Sequence, residues 1–133
     1  MLQYMLDTDI VIYTLKHKPA SVREAFNRND GRLCISSITY MELVFGAERS
    51  QDPSHNLRTI EGFAARLDVL PLDESAAAQA GALRAELASK GTPIGPYDHL
   101  IAGHARALGL ILVTNNEREL SRVPGLRTEN WAR

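Results

Sequence analysis

A single cysteine, Cys34, stands in this chain of 133 residues, so no intramolecular disulfide can staple the fold. It lies in the apolar run Leu33-Cys34-Ile35, which predicts a buried, chemically inert thiol and fits a reducing compartment. No apolar run reaches the roughly 18–20 residues needed to cross a bilayer. No basic segment followed by a long apolar stretch opens the chain, so no secretory signal is expected. The expectation is a cytoplasmic protein with no membrane partner. Neither sign of charge dominates: 15 basic and 16 acidic side chains give a formal net charge of −1. No global field therefore draws the chain toward nucleic acid, although local patches can still differ in sign. The late arginines Arg106, Arg118, Arg122, Arg127 and Arg133 interleave with acids and read as a solvated surface rather than a phosphate-binding track. Aromatic residues make up only 6 %. The four tyrosines and Trp131 read as packing groups before stacking surfaces, with Trp131 fastening the tail. No Walker-type glycine loop and no serine–histidine nucleophile pair is present. His17, His55, His99 and His104 lack zinc-ligand spacing with one another or with Cys34, which leaves them packing or surface roles.

The composition, 44 % hydrophobic and 23 % charged, is that of an ordinary globular protein, and the length suits one domain, 1–133, with a real core. Four short apolar runs predict strands at 3–6, 33–36, 67–70 and 110–114. They lack polar alternation, as expected of strands covered on both faces of a parallel sheet. Helical spacing of apolar residues appears over 20–29, 40–50, 56–66 and 97–108, and one more helix begins near Ile10. The alanine-rich stretch 74–90 is a strong helix former that stops at Lys90-Gly91. The one clear Pro/Gly loop, 91–96, ends in Pro96, a favoured first helical residue. Helices alternating with buried strands predict an α/β/α sandwich around a mostly parallel sheet.

Five acids stand at strand ends or helix starts: Asp7, Asp9, Glu42, Asp98 and Glu119. Each has a structural explanation. Asp7 or Asp9 can cap the helix near Ile10. Thr39-Tyr40-Met41-Glu42 has the form of a capping box, and Asn116 with Glu119 could form another cap. Asp98 sits in a first helical turn, where negative charge complements the helix dipole. In a parallel sheet, however, the turns after 3–6, 33–36 and 110–114 lie on one edge, so their carboxylates converge. Asp98 joins them if its helix points its N-terminus that way. Clustered carboxylates repel and raise one another's pKa. A divalent cation removes that penalty, and carboxylate oxygens with water are the ligands Mg²⁺ and Mn²⁺ prefer. Such a site activates water and supports in-line displacement at phosphorus, which points to phosphodiester hydrolysis.

The motifs Met5-Leu6-Asp7-Thr8-Asp9-Ile10, Ile35-Ser36-Ser37-Ile38-Thr39-Tyr40-Met41-Glu42-Leu43 with Gly46, and Pro93-Ile94-Gly95-Pro96-Tyr97-Asp98 through Ala102 resemble PIN-domain ribonucleases. Leu112-Val113-Thr114-Asn115-Asn116 with Glu119-Leu120 continues the likeness, and the ending Val123 to Trp131 is similar to that of VapC toxins of bacterial toxin–antitoxin systems. The resemblance spans essentially the whole chain. It implies a PIN-domain-like sandwich and a Mg²⁺-dependent endoribonuclease, with Mn²⁺ as substitute. It also implies neutralisation by a VapB-type antitoxin and a homodimer, with higher assembly on the antitoxin. Asp7, Glu42 and Asp98 match the family's three central metal-binding acids. At the fourth position many members have aspartate where this chain has Asn116, so either Glu119 or Asn116 fills it. Thr8 and Thr114 match small polar supporting positions, and Asp9 departs from the asparagine common there and is read as a supporting group. The Pro-Ile-Gly-Pro loop and Thr-Asn-Asn motif are similar to those of enterobacterial toxins that cut initiator tRNA in the anticodon loop. An apolar groove between helices 10–28 and 40–66 is the expected seat of an antitoxin helix.

Two rival readings make different demands. A haloacid-dehalogenase-like phosphatase would use Asp7-Thr8-Asp9 as nucleophile and acid, but needs a later lysine and acidic pair. Lys90 is the only lysine beyond Lys18, and no late Asp-Asp follows. A binding module whose acids are only caps would bind no metal.

Overall fold

The computed structural model describes residues 1–133. A five-stranded sheet runs through the centre, all pairings parallel, in the order β3-β2-β1-β4-β5. The strands are β1 (Tyr4–Leu6), β2 (Leu33–Ser36), β3 (Asp68–Leu70), β4 (Ile111–Val113) and β5 (Thr128–Glu129). Between them lie α1 (Thr8–Lys16), α2 (Ala20–Arg28), α3 (Ser37–Glu48), α4 (Pro53–Ala64), α5 (Glu74–Ser89), α6 (Pro96–Leu108) and α7 (Glu117–Leu120). This is the predicted α/β/α sandwich.

Side chains of the central strands alternate between two cores. Leu6, Ile35 and Val113 enter one with Ile10, Phe26, Leu43 and Phe63 from α1 to α4. Their neighbours Met5, Cys34 and Leu112 enter the other with Leu83, Leu87, Ile101 and Leu120 from α5, α6 and α7. Both faces are apolar, which is why the strands read as unbroken runs rather than alternating ones. Cys34 is fully buried and its thiol is pushed up to about 12, mainly by burial, so it is inert as expected.

The strand order reverses beside β1: β2 and β3 lie on one side, β4 and β5 on the other. In open parallel sheets the crevice at such a reversal, outside the carboxyl ends of the strands, is where ligands bind. Here the crevice lies between the ends of β1 and β4. Asp7 follows the first and Thr114 the second.

The helix near Ile10 and the one expected over 20–29 are separate, as read, parted where His17 turns left-handed (φ 58°) and Pro19 cannot donate a backbone hydrogen bond. Several boundaries differ from the sequence reading. Helix α3 begins at Ser37 rather than 40, since Ser36 caps it by accepting from Ile38 N–H at 3.1 Å. The expected strand 67–70 is an edge strand with Asp68 and Val69 exposed, not one covered on both faces. Strand β5 was not anticipated. It is two polar residues whose only signal is backbone pairing with β4.

Of the late arginines, Arg118, Arg122, Arg127 and Arg133 are exposed, as expected of a solvated surface, and Arg106 is half-buried. Arg106 donates to Gln79 Oε1 (2.8 Å) and to the carbonyl of Pro124 (2.9 Å), while Arg122 and Arg127 bond the carbonyls of Pro93 and Gly109. Trp131 fastens the tail as expected. Its ring meets Tyr4 edge-on at 5.3 Å, and its carbonyl accepts from Ser21 Oγ at 2.8 Å.

Candidate metal centre

Asp7 is the first residue beyond β1 and the N-cap of α1, its Oδ1 accepting from Thr8 N–H at 2.8 Å. Its Oδ2 accepts from Thr114 Oγ1, also at 2.8 Å. The side chain is buried, and its pKa is pushed up to about 6. Burial is the main cause and the Asp9 charge the next. The hydrogen bonds from Thr114 and Thr8 pull the other way, and Glu42 adds a further upward push.

Glu42 reaches the same place from the second turn of α3. It does not close a capping box on Thr39, because the helix starts earlier. Its Oε1 instead accepts from Thr8 Oγ1 at 2.6 Å, and Thr8 Oγ1 lies 3.2 Å from the buried Thr39 Oγ1. Asp98 stands in the first turn of α6, two residues after Pro96 at the helix start. Its pKa is also pushed up to about 6, first by burial and then by the charges of Asp7, Glu119 and Glu42. Asp98 is thus close enough to feel the charges of Asp7, Glu42 and Glu119, and Asp7 that of Glu42.

The fourth corner divides between two side chains. Asn116 Nδ2 donates to Glu119 Oε2 at 2.6 Å, so the amide holds the carboxylate rather than facing the acids in its place. Asn116 starts α7 but makes no side-chain capping bond, so the cap with Glu119 is not formed. Thr114 links the two halves, because its Oγ1 also accepts from Asn116 N–H at 2.9 Å.

Asp9 lies one residue past Thr8, half-buried. Its Oδ2 accepts from Asn115 N–H at 3.1 Å, and its Oδ1 is buried with no hydrogen-bond partner. Its pKa is raised, mainly by burial. The amides of Asn115, Ile10 and Asp9 itself lower it, and the Asp98 charge raises it. Two residues given no role from sequence shape this region. Asn115 Nδ2 donates to Tyr13 Oη (3.1 Å) and its Oδ1 accepts from Asn130 Nδ2 (3.0 Å), clamping the β4–α7 turn to α1 and the tail. Gly95 leaves room for Asp98: a Cβ there would lie 2.9 Å from Asp98 Oδ2. Asn115 stood within a quoted motif, but nothing in the sequence signalled its contacts.

The donors are all oxygens, two carboxyls are pushed up by burial and then by neighbouring acids, and one buried carboxylate oxygen is orphaned. This donor set fits a hard divalent cation. No three histidine, cysteine, aspartate or glutamate side chains stand close enough together to hold an ion between them in this structure. Mg²⁺ does not need three, since it keeps several waters and takes only one or two carboxylates directly. His104 is buried against Ser36 Oγ (2.9 Å), and His99 lies 3.3 Å from the carbonyl of Gly95, so both serve packing. Lys90 pairs with Glu86 at the end of α5, and so offers no support for a phosphatase-type lysine at Asp7.

Beside the acids lies a groove of about 460 Å³ lined by Ile12, Leu15, Glu42, Leu43 and Ile60. It runs between α1, α3 and α4, and α2 does not line it, which narrows the groove expected from sequence. Phe45 and Met41 of α3 are exposed.

Residues 4–126 match the PIN domain family. The chain is 62 % identical over 132 residues to the tRNA(fMet)-specific endonuclease VapC of Shigella flexneri, covering 99 % of this chain and all of that one. It is 52 % identical to ribonuclease VapC2 of Haemophilus influenzae, covering 98 % and 99 %. Among solved structures, DNA-bound VapBC from Salmonella typhimurium superposes with a TM-score of 0.94 at 58 % identity, covering 98 % of this chain and 99 % of that one. VapBC2 from Rickettsia felis bound to a promoter DNA fragment superposes with a TM-score of 0.91 at 36 % identity, covering 98 % and 99 %. The chain belongs to the PIN-domain family, among the VapC ribonucleases.

Proposed function

We propose that this chain is a divalent-metal-dependent endoribonuclease, the toxin of a toxin–antitoxin pair, which cuts initiator tRNA in its anticodon loop. The observation that carries the reading is the meeting of Asp7, Glu42 and Asp98 at the strand-order reversal, with Glu119 beside Asp98. The substrate rests on the likeness to a relative named for tRNA(fMet), and suits RNA chemistry, in which unstacked loop bases can be splayed into a site.

In this reading Asp7, Glu42 and Asp98 hold the cation. When bound, the ion supplies positive charge that activates water and stabilises the oxygens of an in-line displacement at phosphorus. Thr114 and the Thr8 amide orient Asp7 and favour its ionised form. The Thr8 hydroxyl orients Glu42. Glu119, held by Asn116, adds negative charge beside Asp98. The expected products carry a 5′-phosphate and a 3′-hydroxyl.

A VapB-type antitoxin is the proposed inhibitor, as in the VapBC assemblies of Salmonella typhimurium and Rickettsia felis. The groove between α1, α3 and α4 has Glu42 in its wall, so an antitoxin helix seated there would also cover the acids. The test is incubation of the purified protein with transcribed initiator and elongator tRNAs, with Mg²⁺, Mn²⁺ or EDTA, followed by mapping of the cut ends. A single cut in the initiator anticodon loop, abolished by EDTA, is expected. Metal-independent cleavage, or an aspartyl-phosphate trapped on Asp7, would overturn the proposal.

A further inference from the structure

We infer that the pocket between α5 and the 91–96 loop is a subsite for one unpaired nucleotide of the RNA, with the base inside and its phosphate at the rim. The inference rests on the ribonuclease reading above and names what positions the strand beside the acids.

The pocket measures about 290 Å³, at the small end of ligand pockets. Leu87 of α5 and Pro93, Ile94 and Pro96 form apolar walls, with His99 of α6 and the exposed Arg84 of α5 as the polar groups. The walls are fixed before any ligand arrives. Thr92 N–H donates to the Leu87 carbonyl (2.9 Å), Arg122 Nη1 donates to the Pro93 carbonyl (3.3 Å), and the prolines restrict the loop backbone.

His99 decides what the pocket can take. It is only 7 % exposed, and its Nδ1 lies 3.3 Å from the Gly95 carbonyl. A carbonyl only accepts, so Nδ1 carries the hydrogen and Nε2 is left as an acceptor. No protein group donates to Nε2. The one buried side-chain polar atom without a partner is Asp9 Oδ1, so the unpartnered Nε2 opens into the pocket that His99 lines. Apolar walls around a single acceptor suit a nucleobase, which packs its faces against apolar side chains and offers N–H groups at its edge. A phosphate inside would set acceptor against acceptor. At the rim the preference reverses. Arg84 makes no ion pair, those present being Lys90–Glu86 and Arg133–Glu117, and no acid lines the pocket. Its guanidinium is free for the backbone phosphate. Asp98 and His99 are consecutive in the first turn of α6, so a base held here lays its strand against the acids.

The test uses the initiator anticodon stem-loop as synthetic RNA, intact or with a single abasic site at each loop position in turn. With wild type and Mn²⁺, one abasic position is expected to lower kcat/KM by about tenfold or more. Ala88 is exposed and lines the pocket, so Ala88→Phe fills it without touching the acids. This variant is expected to cut intact RNA as slowly as wild type cuts the sensitive abasic one, with no further loss from the abasic site. Arg84→Gln is expected to raise KM by about fivefold with kcat unchanged, and to reduce the salt slope of binding by about 0.7. Both variants should keep wild-type Mn²⁺ affinity, which separates loss of the subsite from disturbance of the acids. An abasic penalty that persists undiminished in Ala88→Phe would overturn the inference. If wild type cuts the intact stem-loop and every abasic one equally well, only this inference fails; if the intact RNA is not cut, the ribonuclease reading fails with it. Should Ala88→Phe not fold, a crystal of Asp7→Asn with the intact stem-loop decides the point. A base edge on His99 Nε2 is expected, and bound RNA that leaves the pocket empty refutes the assignment.

Discussion

Thr114 donates its hydroxyl to Asp7 Oδ2 at 2.8 Å across 107 positions of sequence, and Thr114 Oγ1 itself accepts from Asn116 N–H at 2.9 Å. One buried hydroxyl therefore ties the end of β1 to the turn after β4 and favours the ionised form of Asp7. Thr114→Val keeps the shape and removes both bonds. Leaving the carboxylate and the amide without this partner costs about 1–3 kcal/mol for each buried group. Asp7, already at about 6, moves higher, so the acidic limb of the pH–rate profile shifts toward neutral pH. Thr114→Ser is expected to restore the wild-type profile. An unshifted limb in Thr114→Val would show that the hydroxyl does not tune Asp7.

Asp7 also links pH to stability. Its folded pKa is about 6 against an ordinary 3.8, so burial favours the neutral form. The sign is that of a raised group: its contribution is fully present below the ordinary value and is lost as pH rises through about 6. Holding this carboxyl ionised at neutral pH costs about 3 kcal/mol in the metal-free protein. Asp98, raised for the same reasons but more exposed, adds to the trend. In EDTA the thermal midpoint is therefore expected to fall between about pH 4 and pH 6.5 and to level off above, and Mn²⁺ to offset the fall. Asp7→Asn should raise the metal-free midpoint at pH 7.5 and flatten the slope. Its cleavage rate should drop by more than about 100-fold, the upper range for changes outside the ligand sphere. A wild-type pH slope in Asp7→Asn would assign the trend to other groups.

The layered fold was legible because strands covered on both faces carry uninterrupted apolar runs, and Leu112-Val113 announces β4 without ambiguity. Strand β5 was not legible, since Thr128 and Glu129 owe their conformation to hydrogen bonds with a neighbour more than ten residues away. The same divide runs through the site. Asp7 and Glu42 could be placed on one edge from parallel topology, whereas Asp98 joined them only if its helix pointed its N-terminus that way. The capping box at Glu42 was a misreading of a local pattern: Ser36 starts α3 one turn earlier, and Glu42 is claimed by Thr8, 34 positions away. The bond by which Asn116 holds Glu119 is one that spacing cannot reveal.

Gly95 offers a test of Asp98 that leaves its carboxyl in place. The residue caps α6, and an added Cβ would stand 2.9 Å from Asp98 Oδ2, the movable end of a side chain rather than backbone. Its backbone (φ −58°, ψ 156°) suits any residue, so Gly95→Ala is expected to fold with a thermal midpoint near wild type. The displaced carboxylate should weaken Mn²⁺ binding and slow cleavage by about 10–100-fold. Unchanged metal affinity would mean that Asp98 can shift without loss.

Two glycines on neighbouring helices should respond to alanine with opposite signs. At Gly103 of α6 an added Cβ would lie 2.5 Å from the backbone nitrogen and 2.6 Å from the Cα of Ala80 in α5. Both are backbone atoms, so the helices must separate along their shared apolar face, from which Leu83, Leu87 and Ile101 enter the core. Overpacking of this kind costs about 1–3 kcal/mol or more. Because α6 carries Asp98, the shift should also weaken metal binding. Gly81 of α5 has nothing within 4 Å of the same added atom and lies on the exposed side. Alanine there removes the backbone freedom that glycine loses on folding and should stabilise by about 0.5–1 kcal/mol, with activity unchanged. Urea unfolding of the two variants measures both signs. A Gly103→Ala protein as stable as wild type would show that α5 and α6 do not approach as closely as the structure has them.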